Sequence, residues 1–188
     1  MNTHPAGPHA ASPVPAPSPA ARGSRDRVLL AGTVATGLVA GTYFAFTCAV
    51  MPGLAATDDR TFVAAMQAIN VKIENPVFFA GFFGAFVLPL IAVFRQRKAG
   101  GGAALRWTIA GLALYTAGLL TTMGFNIPLN NTLKDAGDAA ALADPGAVRR
   151  DFEDPWVAWN IVRTAASTAA AGCLVYAMRL RGRAAAGS

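Results

Sequence analysis

Arg163 stands well inside a mostly apolar run from Trp156 to Leu180, whose far end carries Arg179. At 1.5 Å per residue it lies roughly 10 Å from the start of that run. A cation at the centre of a bilayer costs about 2.5–3.5 kcal/mol on insertion scales, so it should face protein or reach the interface. Trp156, Trp159, Asn160, Arg163 and Ser167 fall at i, i+3, i+4, i+7 and i+11 and share one helix face. The natural counter-ion is Glu74, just before another apolar run, Pro76 to Phe94, and flanked by Asn70 and Asn75. Asn126, Asn130 and Asn131 sit at the end of a third run. These groups, distant along the chain, are expected near one level. A carboxylate there can take a proton, and a guanidinium with an amide can stabilise a developing oxyanion. Trp156, Trp159 and phenylalanines such as Phe78 and Phe82 would wall the pocket. A purely structural reading uses the same residues: amides and one ion pair holding helix ends together.

Four apolar runs must position these groups, at about 28–51, 76–94, 107–125 and 156–180. Each has roughly the ~20 residues that cross a hydrocarbon core. The first is too long for the ~7–15-residue core of a signal peptide, so an uncleaved helix is expected. Pro52 and Gly53 are read as its end, and Gly37 and Gly41 form a GxxxG that lets another helix approach. Between the first two runs, Phe62, Met66, Ile69 and Ile73 recur at helical spacing beside a polar row of Gln67, Asn70 and Glu74. This pattern predicts an amphipathic helix over 58–75, capped by Thr57 or Asp58. The third run ends where Pro128 should disrupt it, and a connection of about thirty residues follows, with a short helix around 132–142. Pro/Ala-rich residues 1–23 predict a disordered tail, residues 24–183 the membrane domain, and 184–188 a flexible end. The expected fold is all-α: a four-transmembrane-helix bundle, an amphipathic helix between spans one and two, and a long extracytoplasmic loop between spans three and four.

Composition agrees. Hydrophobic residues make up 54% of the 188 positions and charged residues only 14%, with a mean hydropathy of +0.40. Soluble domains carry about 25% charged residues. The net charge of +6 is not a nucleic-acid footprint, because its cations cluster between apolar runs. Arg22, Arg25 and Arg27, then Arg95, Arg97, Lys98 and Arg106, then Arg179, Arg181 and Arg183 face one acid, Asp26. The other two connections hold five cations and nine acids. The positive-inside rule therefore predicts a multi-pass protein of the cell membrane with both termini cytoplasmic. The histidines, His4 and His9, lie in the tail, so no imidazole-held metal is expected; Cys48 and Cys173 lie in apolar runs and offer no disulfide framework.

Four segments occur in order: VMPGL at 50–54, QAIN-x3-ENPVF at 67–78, NIPLNN at 126–131 and WxxWNxxRT at 156–164. With the four runs, they resemble the DUF1772 family of anthrone-oxygenase-like membrane proteins over about residues 28–180. Some members of that family oxidise anthrones to anthraquinones without a cofactor. The resemblance implies a hydrophobic aromatic substrate and O2 as partners, membrane lipid around the chain, and no cofactor. By their chemistry at the matching positions, Glu74 is the candidate base or proton relay, and Arg163 and Asn160 are the candidate oxyanion stabilisers. Asn126 and Asn130 would orient the ligand, Trp156 and Trp159 would stack on it, and Asn70, Asn75, Phe78 and Phe82 would complete the contacts. The alternative is a non-catalytic membrane protein that binds a lipophilic molecule or supports a partner. A transporter is least favoured, because no ionisable row continues across the bilayer. Small residues such as Gly37, Gly41, Gly111 and Gly118 are compatible with contacts within one chain or between copies in a homo-oligomer.

Overall fold

The computed structural model describes residues 19–186. The expected tail lies outside the described residues up to position 18, and from Pro19 the chain is helical. The C-terminal end expected over 184–188 is helical to Ala186 and lies outside the described residues thereafter. The helices are α1 (Pro19–Ala45), α2 (Met51–Ala55), α3 (Asp59–Ile73), α4 (Pro76–Arg97), α5 (Ala103–Thr121), α6 (Ile127–Asp135) and α7 (Pro145–Ala186). Two π turns, Phe46–Val50 and Thr122–Asn126, join α1 to α2 and α5 to α6, and a 3-10 turn covers Ala139–Ala141. No strand occurs among the described residues.

Among the described residues, four helical stretches are long and apolar enough to cross a membrane: Arg27–Ala55, Pro76–Arg97, Ala103–Asp135 and Pro145–Ala184. The four spans and the amphipathic helix therefore stand, but the prolines act differently from the expectation. Pro52 and Pro128 do not end their helices. Before each, the turn widens: Met51 N–H bonds Phe46 O, and Ile127 N–H bonds Thr122 O. An i→i−5 turn makes room for a ring that would collide with a carbonyl in regular α-helix. Pro155, expected before the last span, lies inside α7. Its missing N–H removes the i→i−4 donor to the carbonyl of Asp151, an exposed residue. The connection between spans three and four is thus mostly helix, with α6 beginning at Ile127.

Helix α1 packs on α4 and α7, and α5 packs on the same two, so α1 and α5 are diagonal in the bundle. Val39, Tyr43, Ala85, Tyr115 and Ala170 form one buried cluster between them; Leu29, Ala92, Leu174 and Ala177 form another. The close helix contacts are not at the GxxxG. A Cβ on Gly37 or Gly41 would meet nothing within 4 Å. At Gly32 it would lie 2.8 Å from Pro89 Cδ, and at Gly111 2.9 Å from Leu174 Cδ2 and 3.1 Å from Ala170 O. Periodicity had marked the glycines; only packing distinguishes which face carries a neighbour.

A small layer caps one end of the bundle. Helix α3 lies against α6, the 3-10 turn and α7. Phe62, Val63, Met66, Leu133, Ala139, Phe152 and Trp156 form its core. Asp58 caps α3, its Oδ1 accepting from Thr61 N at 3.0 Å. Arg149 fastens the layer by donating to Ala55 O, Thr57 O and Asp59 Oδ1 while pairing with Glu153 at 2.6 Å. Arg60 donates to Ala139 O and Leu142 O, and Gln67 to Leu133 O and Gly137 O.

Candidate functional site

Between this cap and the bundle lies a cavity of about 130 Å³, and α1, α3, α4, the second π turn, α6 and α7 all contribute to its lining. Helix α1 with its π turn supplies Tyr43 and Phe46; α3 supplies Asn70 and Ile73, with Glu74 at its end. Helix α4 adds Phe78, Phe79 and Phe82, α6 adds Asn130, and α7 adds Trp156 and Arg163. The phenylalanines of α4 are in mutual contact, Phe78 and Phe82 stacking with centroids 5.6 Å apart. The wall is therefore aromatic on one side and amide-bearing on the other.

Arg163 is 6% exposed. Its Nη2 donates to Asn160 Oδ1 at 2.8 Å, and its guanidinium lies 4.3 Å from the centroid of Tyr43 and 5.3 Å from that of Trp156. Its Nε is buried and has no hydrogen-bond partner among the described residues. Glu74, the expected counter-ion, is exposed and lines the same cavity, yet no ion pair joins the two; the ion pairs found involve Arg149. The two groups, expected near one level, line one cavity. The guanidinium is held instead by the π faces of Tyr43 and Trp156 and the amide of Asn160.

Of the other expected residues, Asn70, Asn130, Trp156, Phe78 and Phe82 line the cavity. Asn160 stands behind Arg163, its Nδ2 donating to Tyr43 O and Thr47 Oγ1 at 3.0 and 2.8 Å. Its hydrogen bonds are spent on α1, on the π turn that follows and on the guanidinium, so it positions Arg163 instead of facing the cavity. Asn75 caps α4, accepting from Val77 N and Phe78 N. Asn126 is fully buried and donates to Trp156 O. Trp159 stacks on Phe125, with centroids 3.7 Å apart. Asn130 accepts from Trp156 Nε1 at 2.8 Å, which fixes that indole at the cavity wall. Sequence reasoning missed Tyr43 and Phe46. Their signal was a tyrosine and a phenylalanine at i and i+3 in the last turns of the first span, on one face.

The fold and the site together define a four-span helical bundle with a capped, aromatic-walled cavity that holds a buried arginine. A family model described as Anthrone oxygenase matches residues 76–173, and the chain belongs to that family, as its motifs implied. The match takes in Asn130, Trp156 and Arg163 and starts just after Glu74. No curated protein and no solved structure matches the chain.

Proposed function

We propose that the cavity is the active site of a cofactor-independent oxygenase, which oxidises a hydrophobic aromatic substrate of the anthrone type with O2. The chain would lie in the cell membrane with both termini cytoplasmic and the capped end outside, as its charge distribution supports. One observation carries the catalytic reading. Arg163 is a buried cation without a carboxylate partner among the described residues, in an aromatic-walled cavity that also has a carboxylate, Glu74, in its lining.

The chemistry suits those groups. An anthrone carries an acidic CH2 between two aromatic rings, opposite a carbonyl. Glu74 takes one proton, and the charge moves onto the carbonyl oxygen, where the Arg163 guanidinium stabilises it. The resulting electron-rich anion transfers an electron to O2, and the radical pair recombines at the former CH2 to a peroxide anion, which takes the proton back from Glu74 and becomes a hydroperoxide. Loss of water gives the second carbonyl. Anthrone and O2 thus yield anthraquinone and water, with O2 as the oxidant. Tyr43, Phe78, Phe82 and Trp156 bind the apolar rings, and Asn160 holds the guanidinium in place.

The test is oxygen uptake by the purified chain in detergent with anthrone, together with the appearance of anthraquinone. One O2 consumed per anthraquinone formed is expected, and Glu74→Gln should lower kcat by about 10²-fold or more while the chain stays folded. Product formation no faster than in empty micelles would remove the enzymatic reading and leave a binding protein.

A further inference from the structure

The aromatic cavity is small for such a substrate. A dry cavity of about 150 Å³ in another protein holds one benzene, and this one measures about 130 Å³. It takes about one ring; three fused rings must extend beyond it. A second cavity of about 460 Å³ adjoins it and shares Asn70, Glu74 and Asn130 with it. Gln67, Asn131 and Lys134 give the second cavity a polar lining.

The groups at and beyond this seam differ in what they have left to offer. The Nε2 of Gln67 is engaged by Leu133 O and Gly137 O, and the Oδ1 of Asn130 by the Trp156 indole. Asn70 Nδ2 is buried with no hydrogen-bond partner among the described residues. The Lys134 ammonium forms no ion pair among the described residues, and it lines the second cavity only. Besides the Glu74 carboxylate, which also lines the seam, the seam offers the Asn70 amide and the second cavity the Lys134 ammonium as donors, whereas the far wall of the first cavity is aromatic. A ligand matching both halves has an apolar ring at one end and acceptor oxygens with a negative charge at the other.

We infer that the two cavities form one bipartite site for a polycyclic aromatic acid. One ring lies among Phe78, Phe82 and Trp156, an oxygen of the ligand accepts from Asn70, and an acidic substituent reaches Lys134. The inference rests on the aromatic cavity being the ligand site proposed above, and it names Lys134 and Asn70 as specificity-determining residues.

The test is equilibrium binding to the full chain in detergent, read from tryptophan fluorescence, with two probes of one ring system. Anthraquinone-2-carboxylate carries the charge, and 2-(hydroxymethyl)anthraquinone does not. Lys134→Ala should weaken the carboxylate about 10-fold and the neutral probe less than about twofold, the difference expected for one charge-assisted hydrogen bond. Lys134→Arg should restore the carboxylate, and Asn70→Leu should weaken both probes. Equal effects of Lys134→Ala on the two probes, no effect on either, or no binding of either probe would overturn the bipartite site. Because the readout is binding, a Lys134-dependent preference without turnover would refute the oxidation alone. Turnover with Lys134-independent binding would refute this inference alone.

Discussion

Replacing Arg163 by methionine separates catalysis from stability, because the terms that hold the arginine nearly cancel. Its bond to Asn160 is 2.8 Å long, and a hydrogen bond to a charged group contributes about 1.5–3 kcal/mol. The Tyr43 ring lies 4.3 Å away, and a desolvated cation–π contact adds about 2 kcal/mol. Against these stands the effective desolvation of a buried cation, several kcal/mol even after relaxation. No carboxylate offsets that penalty, since the ion pairs found among the described residues are those of Arg149. Methionine removes the penalty and both contacts together, and leaves Asn160 Oδ1 unpaired at about 1–3 kcal/mol. The net change in stability should be a loss of no more than about 2 kcal/mol.

Loss of an oxyanion donor has a larger effect, about 10²–10³ in kcat. Thermal unfolding in detergent and steady-state oxygen uptake, measured on the same preparation, should therefore diverge: a small shift in the first and a collapse in the second. Arg163→Lys keeps the charge but loses the planar group that lies over Tyr43 and bonds Asn160, so its rate should fall between the two. A folded Arg163→Met chain that turns over at the parental rate would show that the guanidinium serves packing alone.

Three further outcomes test the fold. Gly111→Ala should destabilise the α5–α7 contact by about 1–3 kcal/mol through overpacking, because the new Cβ meets Leu174 at 2.9 Å and the carbonyl of Ala170 at 3.1 Å. Gly37→Ala, in open space, should stabilise its helix by up to about 1 kcal/mol; both are read from unfolding midpoints, and equal shifts would contradict the packing. The Asp58 carboxyl is held below its ordinary value of 3.8 by the Thr61 hydroxyl and the Thr61 N–H. Its contribution is thus present above the unfolded value and lost as the pH falls through the lower folded one. The stability gap between the parent and Asp58→Ala should therefore close on acidification below about pH 4, and a gap that widens there reverses the sign. A reporter fused at Ala140 should lie outside the cytoplasm, and a cytoplasmic reporter would reverse the proposed topology.

The fold was legible in the sequence where one physical quantity dominates. Length and apolarity mark the spans, and the apolar stripe with an Asp58 cap marks α3. The helix ends were not legible, because Pro52 and Pro128 read as breakers in regular α-helix. Only the hydrogen-bond pattern reveals that a π turn precedes each and carries the helix past it. The level of the site was legible too: Glu74, Asn70, Asn130, Trp156 and Arg163 do meet at one cavity. Which way each side chain is spent was not. Asn75, Asn126 and Trp159 serve a helix cap, a bond to Trp156 O and a stack on Phe125. Spacing along one helix says which residues share a face, and the neighbouring helix decides what that face touches.

The missing ion pair changes the argument for chemistry. A carboxylate locked against a guanidinium is stabilised as its anion and is a poorer base, and the guanidinium has its charge already answered. Had Glu74 and Arg163 paired, the structural reading of the polar cluster would account for both. Instead Tyr43, Trp156 and Asn160 accommodate the cation without a negative charge, and the carboxylate stands apart in the lining of the same cavity. Those neighbours lower the cost of keeping Arg163 buried without neutralising it. A carboxylate and an uncompensated cation, kept apart in the lining of one aromatic-walled cavity, would supply what deprotonation of a carbon acid needs: one group to take the proton and another to hold the charge that remains.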